Sequence, residues 1–321
     1  MLNEVVWYRH TLANRLQTAL LLLFMGGFLG LLGWLLWGVD GLLMLLPVSA
    51  VLLLFNPRIA PWLIMRMYGA ARVAPAEAPL LHSALVELSK RAGLPHLPAL
   101  YYIPSSMVNA FALGRRDDAA IAVSDGLLRL LDAREVVAVL AHELSHVKNN
   151  DILVMGVADL FSRLTSLFSL FGLLLLLINL PLFLLGGVTF NWPAILILLL
   201  APNLSALAQL GLSRAREYDA DLNAVSLTGD PEGLARALAK IERTGGNLLE
   251  RILLPGRRLP EPSLLRTHPP TDERIRRLLQ LKPPYPRSAL TNWPPRNALS
   301  DFVPTAAIER LPRWRITGLW H

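Results

Sequence analysis

The sequence contains no cysteine in its 321 residues, which excludes disulfide staples, cysteine-ligated zinc and thiol nucleophiles. Charge is scarce as well: Asp, Glu, Lys and Arg make up 17%, against about 25% in an ordinary soluble domain. Lysine is almost missing, since 27 of the 31 basic residues are arginine. With 24 acidic residues the formal net charge is +7, a balance that suits nucleic acid or an anionic membrane surface. What fills the chain is apolar, 53% hydrophobic with a mean hydropathy of +0.43. That excess is gathered into long uncharged runs, so a wholly soluble protein is excluded.

Thr18 to Val39 is free of charge, and its 22 residues would span about 33 Å as a helix, enough to cross a hydrocarbon core. Asp40 and Gly41 interrupt, and a second apolar run from Leu42 to Phe55 ends at Asn56, Pro57 and Arg58. Between Arg163 and Arg214 lie 50 residues without one charged side chain, room for two further spans. Gly186, Gly187, Thr189, Asn191, Trp192 and Pro193 supply the turn between them. The alternative, a helix pair buried in a large soluble core, seldom needs so long an uncharged stretch.

About four transmembrane helices in two hairpins are therefore expected. Arg9 and Arg15 precede the first, Arg58, Arg66 and Arg72 follow the second, and Arg214 and Arg216 follow the fourth. The connections after spans one and three carry no Lys or Arg. The positive-inside rule makes the basic side the cytoplasm and assigns the charge to the lipid bilayer, with no nucleic acid partner. The chain then divides into a transmembrane hairpin at 1–57 and the first part of a cytoplasmic domain at 58–163. A second hairpin follows at 164–212, then the second part of that domain at 213–284 and a C-terminal extension at 285–321. Half of the 24 prolines fall between Pro255 and Pro312, and Trp293, Trp314 and Trp320 lie in the extension.

The cytoplasmic blocks read as mainly α with a small antiparallel sheet. Leu80, Leu81, Leu85 and Leu88 have helical spacing within 76–92. Short extended segments follow at 99–103, 107–113 and 119–123, the last two joined by the loop Gly114-Arg115-Arg116-Asp117-Asp118. Asp132 and Glu135 resemble a capping box, opening a helix from about Ala133 to Asn149. A further helix continues the fourth span to about Leu227.

Inside the capped helix stands His142-Glu143-Leu144-Ser145-His146. Histidines at i and i+4 leave one helix face together, so their imidazoles can converge on one ion. The glutamate beside the first histidine then sits where it can take a proton from water, which zinc makes a nucleophile at neutral pH. Two exposed histidines on an amphipathic helix would show the same spacing. Catalytic zinc needs a third protein ligand, and the best candidate is Glu217 in Arg214-Ala215-Arg216-Glu217-Tyr218-Asp219-Ala220-Asp221. Glu217 and Asp221 are one helical turn apart, so one could bind metal while the other orients an imidazole. Equally, both could be solvated carboxylates pairing with Arg214 and Arg216.

Taken together, these residues resemble a known family. The HELSH run followed by Lys148-Asn149-Asn150-Asp151, a hydrophobic hairpin and SRAREYDAD is similar to the HtpX type of membrane zinc protease, related to the CAAX prenyl endopeptidases. The likeness covers roughly residues 15 to 284. It implies a gluzincin-like fold with one Zn2+ held by His142, His146 and Glu217, Glu143 as general base, and Asp221 in support. Asn109-Ala110-Phe111-Ala112 resembles the family's active-site edge strand, which would bind an extended polypeptide substrate through its backbone. His268, before Pro269 and Pro270, resembles the family's C-terminal motif. The likeness implies oxyanion stabilisation by His268 with Asn109 assisting, and support of the carboxylates by Arg274. It further implies a multi-pass protein of the cell (inner) membrane that cleaves misfolded or unassembled proteins on the cytoplasmic side. A processing protease for prenylated C-terminal peptides and a non-catalytic zinc-binding scaffold are the alternatives.

Overall fold

The computed structural model describes residues 4–54, 61–187, 191–245 and 270–281. His268 and the extension at 285–321 lie outside the described residues. In chain order the elements are α1 (Glu4–Leu54), α2 (Pro61–Met67), β1 (Ala71–Arg72), α3 (Pro79–Ala92), β2 (Ala99–Ile103), β3 (Ala110–Leu113) and β4 (Ala120–Ser124). Then come α4 (Asp125–Leu130), α5 (Ala133–Lys148), α6 (Asp151–Leu184), α7 (Trp192–Thr228), α8 (Pro231–Gly245) and α9 (Thr271–Gln280). Two compact units emerge, one from Asn14–Arg58 and Leu153–Ala215, the other from Met1–Ala13, Ile59–Ile152 and Arg216–His321.

Over its described residues the first unit is mostly apolar helix. Among the described residues 3 helices are long and apolar enough to cross a membrane, at Val6–Leu45, Asp151–Leu184 and Trp192–Thr228. The first two apolar runs of the sequence share α1, which breaks at Trp37 (φ −139°) and Gly38 (φ 62°, ψ −137°). The break falls just before Asp40 because only glycine adopts the Gly38 conformation without strain. A Cβ on Gly41 would collide with the Gly33 carbonyl, and Gly30 faces Leu42, so α1 doubles back on itself at the break. Leu29, Leu32, Leu160, Leu164, Phe168, Leu198 and Ala201 form the buried core between these segments. Ser162 binds Ser205 (3.0 Å) and donates to Gln209 (2.9 Å), satisfying polar groups that would otherwise be stranded among apolar side chains.

The second unit is built on a four-stranded sheet in the order β1-β2-β4-β3. It is mixed rather than antiparallel, because β4 pairs parallel with β2 while the other two pairings are antiparallel. Burial explains the placement. Every residue of β4 is buried, which suits a central strand, whereas β3 alternates and suits an edge. Ile121 and Val123 point to a core shared with α3 and α5, while Ala120 and Ala122 point to Met65 and Tyr68 of the α2 segment. The β3–β4 hairpin therefore swings outward and returns β4 beside β2. Its loop starts at Gly114, where φ is 85° and a Cβ would strike the Asp118 carbonyl.

Helix α5 runs through the middle of this unit. Asp132 Oδ1 accepts from the Glu135 N–H (2.9 Å) and Glu135 Oε2 accepts from the Asp132 N–H (2.9 Å). This reciprocal cap fixes where the helix starts. Buried residues occur on all its sides, from Val136 to Val147, with α3, α8 and β3 packed around it. The two histidines are thereby held in a rigid, enclosed helix rather than on a loop.

Candidate metal centre

The structure brings His142 and His146 of α5 together with Glu217 of α7. The two Nε2 atoms are 3.2 Å apart. Glu217 offers Oε2 at 3.4 Å from His142 Nε2 and Oε1 at 3.7 Å from His146 Nε2. All three residues are buried. A tetrahedral ion with bonds of about 2.0–2.1 Å places its ligand atoms about 3.3 Å apart, so these three donors fit three corners around one divalent metal. The solvated-carboxylate alternative for Glu217 and Asp221 is thus not what the chain adopts, since both are buried.

Around the donors lies a shell of buried charge. Asp221 Oδ1 forms an ion pair with His142 Nδ1 at 3.1 Å. Arg274 of α9 donates to both Asp221 oxygens, at 2.8 and 2.6 Å, and lies 3.2 Å from Glu217 Oε2. Burial opposes a charged His142, yet the Asp221 and Glu217 carboxylates outweigh it and push the imidazole up to about 10. Burial likewise opposes a charged Arg274, but Asp221 and Glu217 raise it well above its ordinary value. The carboxylates thus call for positive charge at the point where the three donors meet, which a divalent ion supplies.

Glu143 is half-buried, and its Oε2 accepts the backbone N–H of Ala112 on β3 at 3.1 Å. Phe111 packs under the strand with Tyr68, and Ala110 precedes it. Asn109 sits just ahead of β3, its N–H donating to Ser124 Oγ (2.9 Å) and its carbonyl accepting the Ser124 N–H (3.0 Å). The segment from Asn109 to Ala112 thus lies at the sheet edge, next to the helix of the metal donors.

Two residues of the centre, Asp151 and Arg216, have no part in the metal site on the sequence reading alone. Asp151 Oδ2 hydrogen-bonds His146 Nδ1 at 2.6 Å, and Asp151 Oδ1 accepts from Arg216 Nε at 2.6 Å. Arg216 also pairs with Asp219 at 3.3 Å, and not with Glu217 or Asp221. The signal available was the short distance from His146 to an acid, across Asn150 with its left-handed φ of 54°. Asparagine tolerates that conformation better than most residues, and it turns the chain back toward the histidine.

A buried His-His-carboxylate set beside a glutamate, in a chain with helices apolar enough for a bilayer, defines a membrane metalloprotease. The peptidase family M48 model matches residues 75–282, and the chain belongs to that family. It is 38% identical over 289 residues to a protease HtpX homolog of Acaryochloris marina, covering 84% of this chain and 95% of that protein. A protease HtpX homolog of Pyrococcus furiosus is 34% identical over 287 residues, covering 83% and 95%. Among solved structures, Ste24p of S. mikatae shares the fold with a TM-score of 0.50 at 21% identity, over 84% of this chain and 66% of that one.

Proposed function

We propose that the chain is a zinc endopeptidase of the cell (inner) membrane that cuts misfolded or unassembled proteins on the cytoplasmic side. The observation that carries this reading is the near-tetrahedral spacing of His142, His146 and Glu217 next to Glu143. Two imidazoles and one carboxylate, with one position left for water, are the donor set of a catalytic zinc. When bound, the metal would polarise both water and the scissile carbonyl.

The remaining chemistry belongs to the chain. Glu143 Oε1, the oxygen that Ala112 does not hold, takes the proton of the attacking water and delivers it to the leaving amine. Substrate adds to β3 as an extended strand. The Asn109 carbonyl accepts the backbone N–H of Ser124 at the β4 end, so alternation along β3 turns the peptide groups of Ala110 and Ala112 outward, the Ala112 N–H onto Glu143 and the others toward substrate. Those groups bind backbone rather than side chains, which suits broad selection of unfolded polypeptides. His268 and Asn109 stabilise the oxyanion, and Arg274 holds Asp221 and Glu217 in place. The cytoplasmic placement rests on arginines flanking the apolar runs on one side only.

Glu143→Gln tests the reading. The variant keeps shape and metal but has no base, so cleavage of an unfolded substrate should fall by at least about 100-fold. Undiminished cleavage by metal-loaded Glu143→Gln would remove Glu143 from the mechanism.

A further inference from the structure

We infer that Asp151, clamped by Arg216, is the positioning residue for His146, and that the centre is bracketed by two such Asp–Arg pairs. The inference rests on the metal reading of His142, His146 and Glu217. A neutral imidazole that ligates through Nε2 must carry its proton on Nδ1, and that proton needs a fixed acceptor. Asp151 Oδ2, 2.6 Å from His146 Nδ1, is that acceptor. The carboxylate is 0% exposed, and Arg216 Nε pairs with it at 2.6 Å from Oδ1. The acceptor is therefore a carboxylate held by an arginine, a firmer anchor for the imidazole than a lone backbone carbonyl. Its orientation is fixed from two directions, by the turn at Asn150 and by Arg216 on α7.

A looser counterpart stands on the other side. His142 Nδ1 faces Asp221 at 3.1 Å, and Asp221 is held by Arg274 at 2.8 and 2.6 Å. Each histidine thus has its own buried carboxylate and each carboxylate its own buried arginine. The two brackets come from different elements, α6 with α7 and α7 with α9. Asp151 also opens α6, where an acid favours the helix dipole, and a merely structural role would end there.

The two roles separate in the full-length protein. Asp151→Asn and the double variant Asp151→Asn with Arg216→Met are compared with the parent by zinc competition against a chromophoric chelator. Visible spectra of the cobalt-loaded forms and melting of the metal-free forms complete the comparison. The double variant removes both charges of the Asp151–Arg216 pair together, so its metal-free melting returns toward that of the parent, and it remains measurable if the single variant does not fold. Zinc affinity in both variants is expected to fall about 10–100-fold, with an altered cobalt spectrum. A double variant that binds zinc as tightly as the parent overturns the inference, as does Asp151→Asn that melts earlier yet binds unchanged. A parent that binds no metal would instead remove the metal centre itself, and this inference with it.

Discussion

At the scale of single residues, the centre is a balance of buried charge. Arg274 is buried against two carboxylates that also face His142. Removing one partner from a buried ion pair costs about 3–5 kcal/mol, because the other charge is left uncompensated. Arg274→Ala should therefore destabilise the metal-free protein by about that amount. Metal binding supplies positive charge beside Glu217, so the loss should shrink in the metal-loaded form. Arg274→Lys should recover little, since a point charge cannot fork across Asp221 while reaching Glu217. Melting of all three proteins with and without zinc checks this, and equal losses in both states would disprove the compensation. His142, Glu143 and His146 were legible in the sequence because their relation is one helical turn. Asp151 and Arg216 were not, because their contact joins residues 65 apart through a turn whose geometry only the fold reveals. Glu217 stood between the cases: its chemistry was readable, but alternatives on helix spacing alone stayed open until the burial of α7 was known.

At the scale of elements, local rules succeeded and pairing rules did not. The capping box at Asp132 and the left-handed Gly93 that ends α3 are set by neighbours in the chain, and α5 and α3 fall close to where periodicity placed them. The sheet was expected to be antiparallel, yet strand order depends on which strand is buried on both faces. Ala119 to Val123 showed no alternation to reveal it, being apolar throughout. The edge position of β3 has a functional consequence, since its Ala112 N–H holds Glu143. Ala112→Pro deletes that donor on the outward side of an edge strand, where proline is tolerated. A hydrogen bond to a charged group is worth about 1.5–3 kcal/mol, so turnover should fall about 10–100-fold while zinc binding stays intact. Zinc loss in parallel with activity would show that the strand supports the metal donors rather than Glu143.

At the scale of the whole molecule, the reversal inside α1 sets how often the chain crosses the bilayer. Hydropathy suggested four crossings, and the described residues hold 3 helices of sufficient length and apolarity. The two counts differ because α1 is continuous in hydrogen bonding on either side of a reversal at Trp37 and Gly38. A single long helix of its length would overshoot any bilayer, whereas a doubled-back one places Gly30 against Leu42. Crossing twice would return the chain at Arg58, Arg66 and Arg72 to the side on which Arg9 and Arg15 began, in keeping with the positive-inside rule. Reporters inserted after Gly38 and after Gly187 should then both read extracytoplasmic, and reporters placed beside Arg72 and within α8 should both read cytoplasmic. A reporter beside Arg72 on the opposite side from one fused ahead of Arg9 would mean that α1 crosses only once. An Arg72 reporter on the opposite side from the α8 reporter would instead mean that α6 and α7 together cross an odd number of times. That would part β3 and the HELSH helix from Glu217, which the shared geometry of His142, His146 and Glu217 opposes.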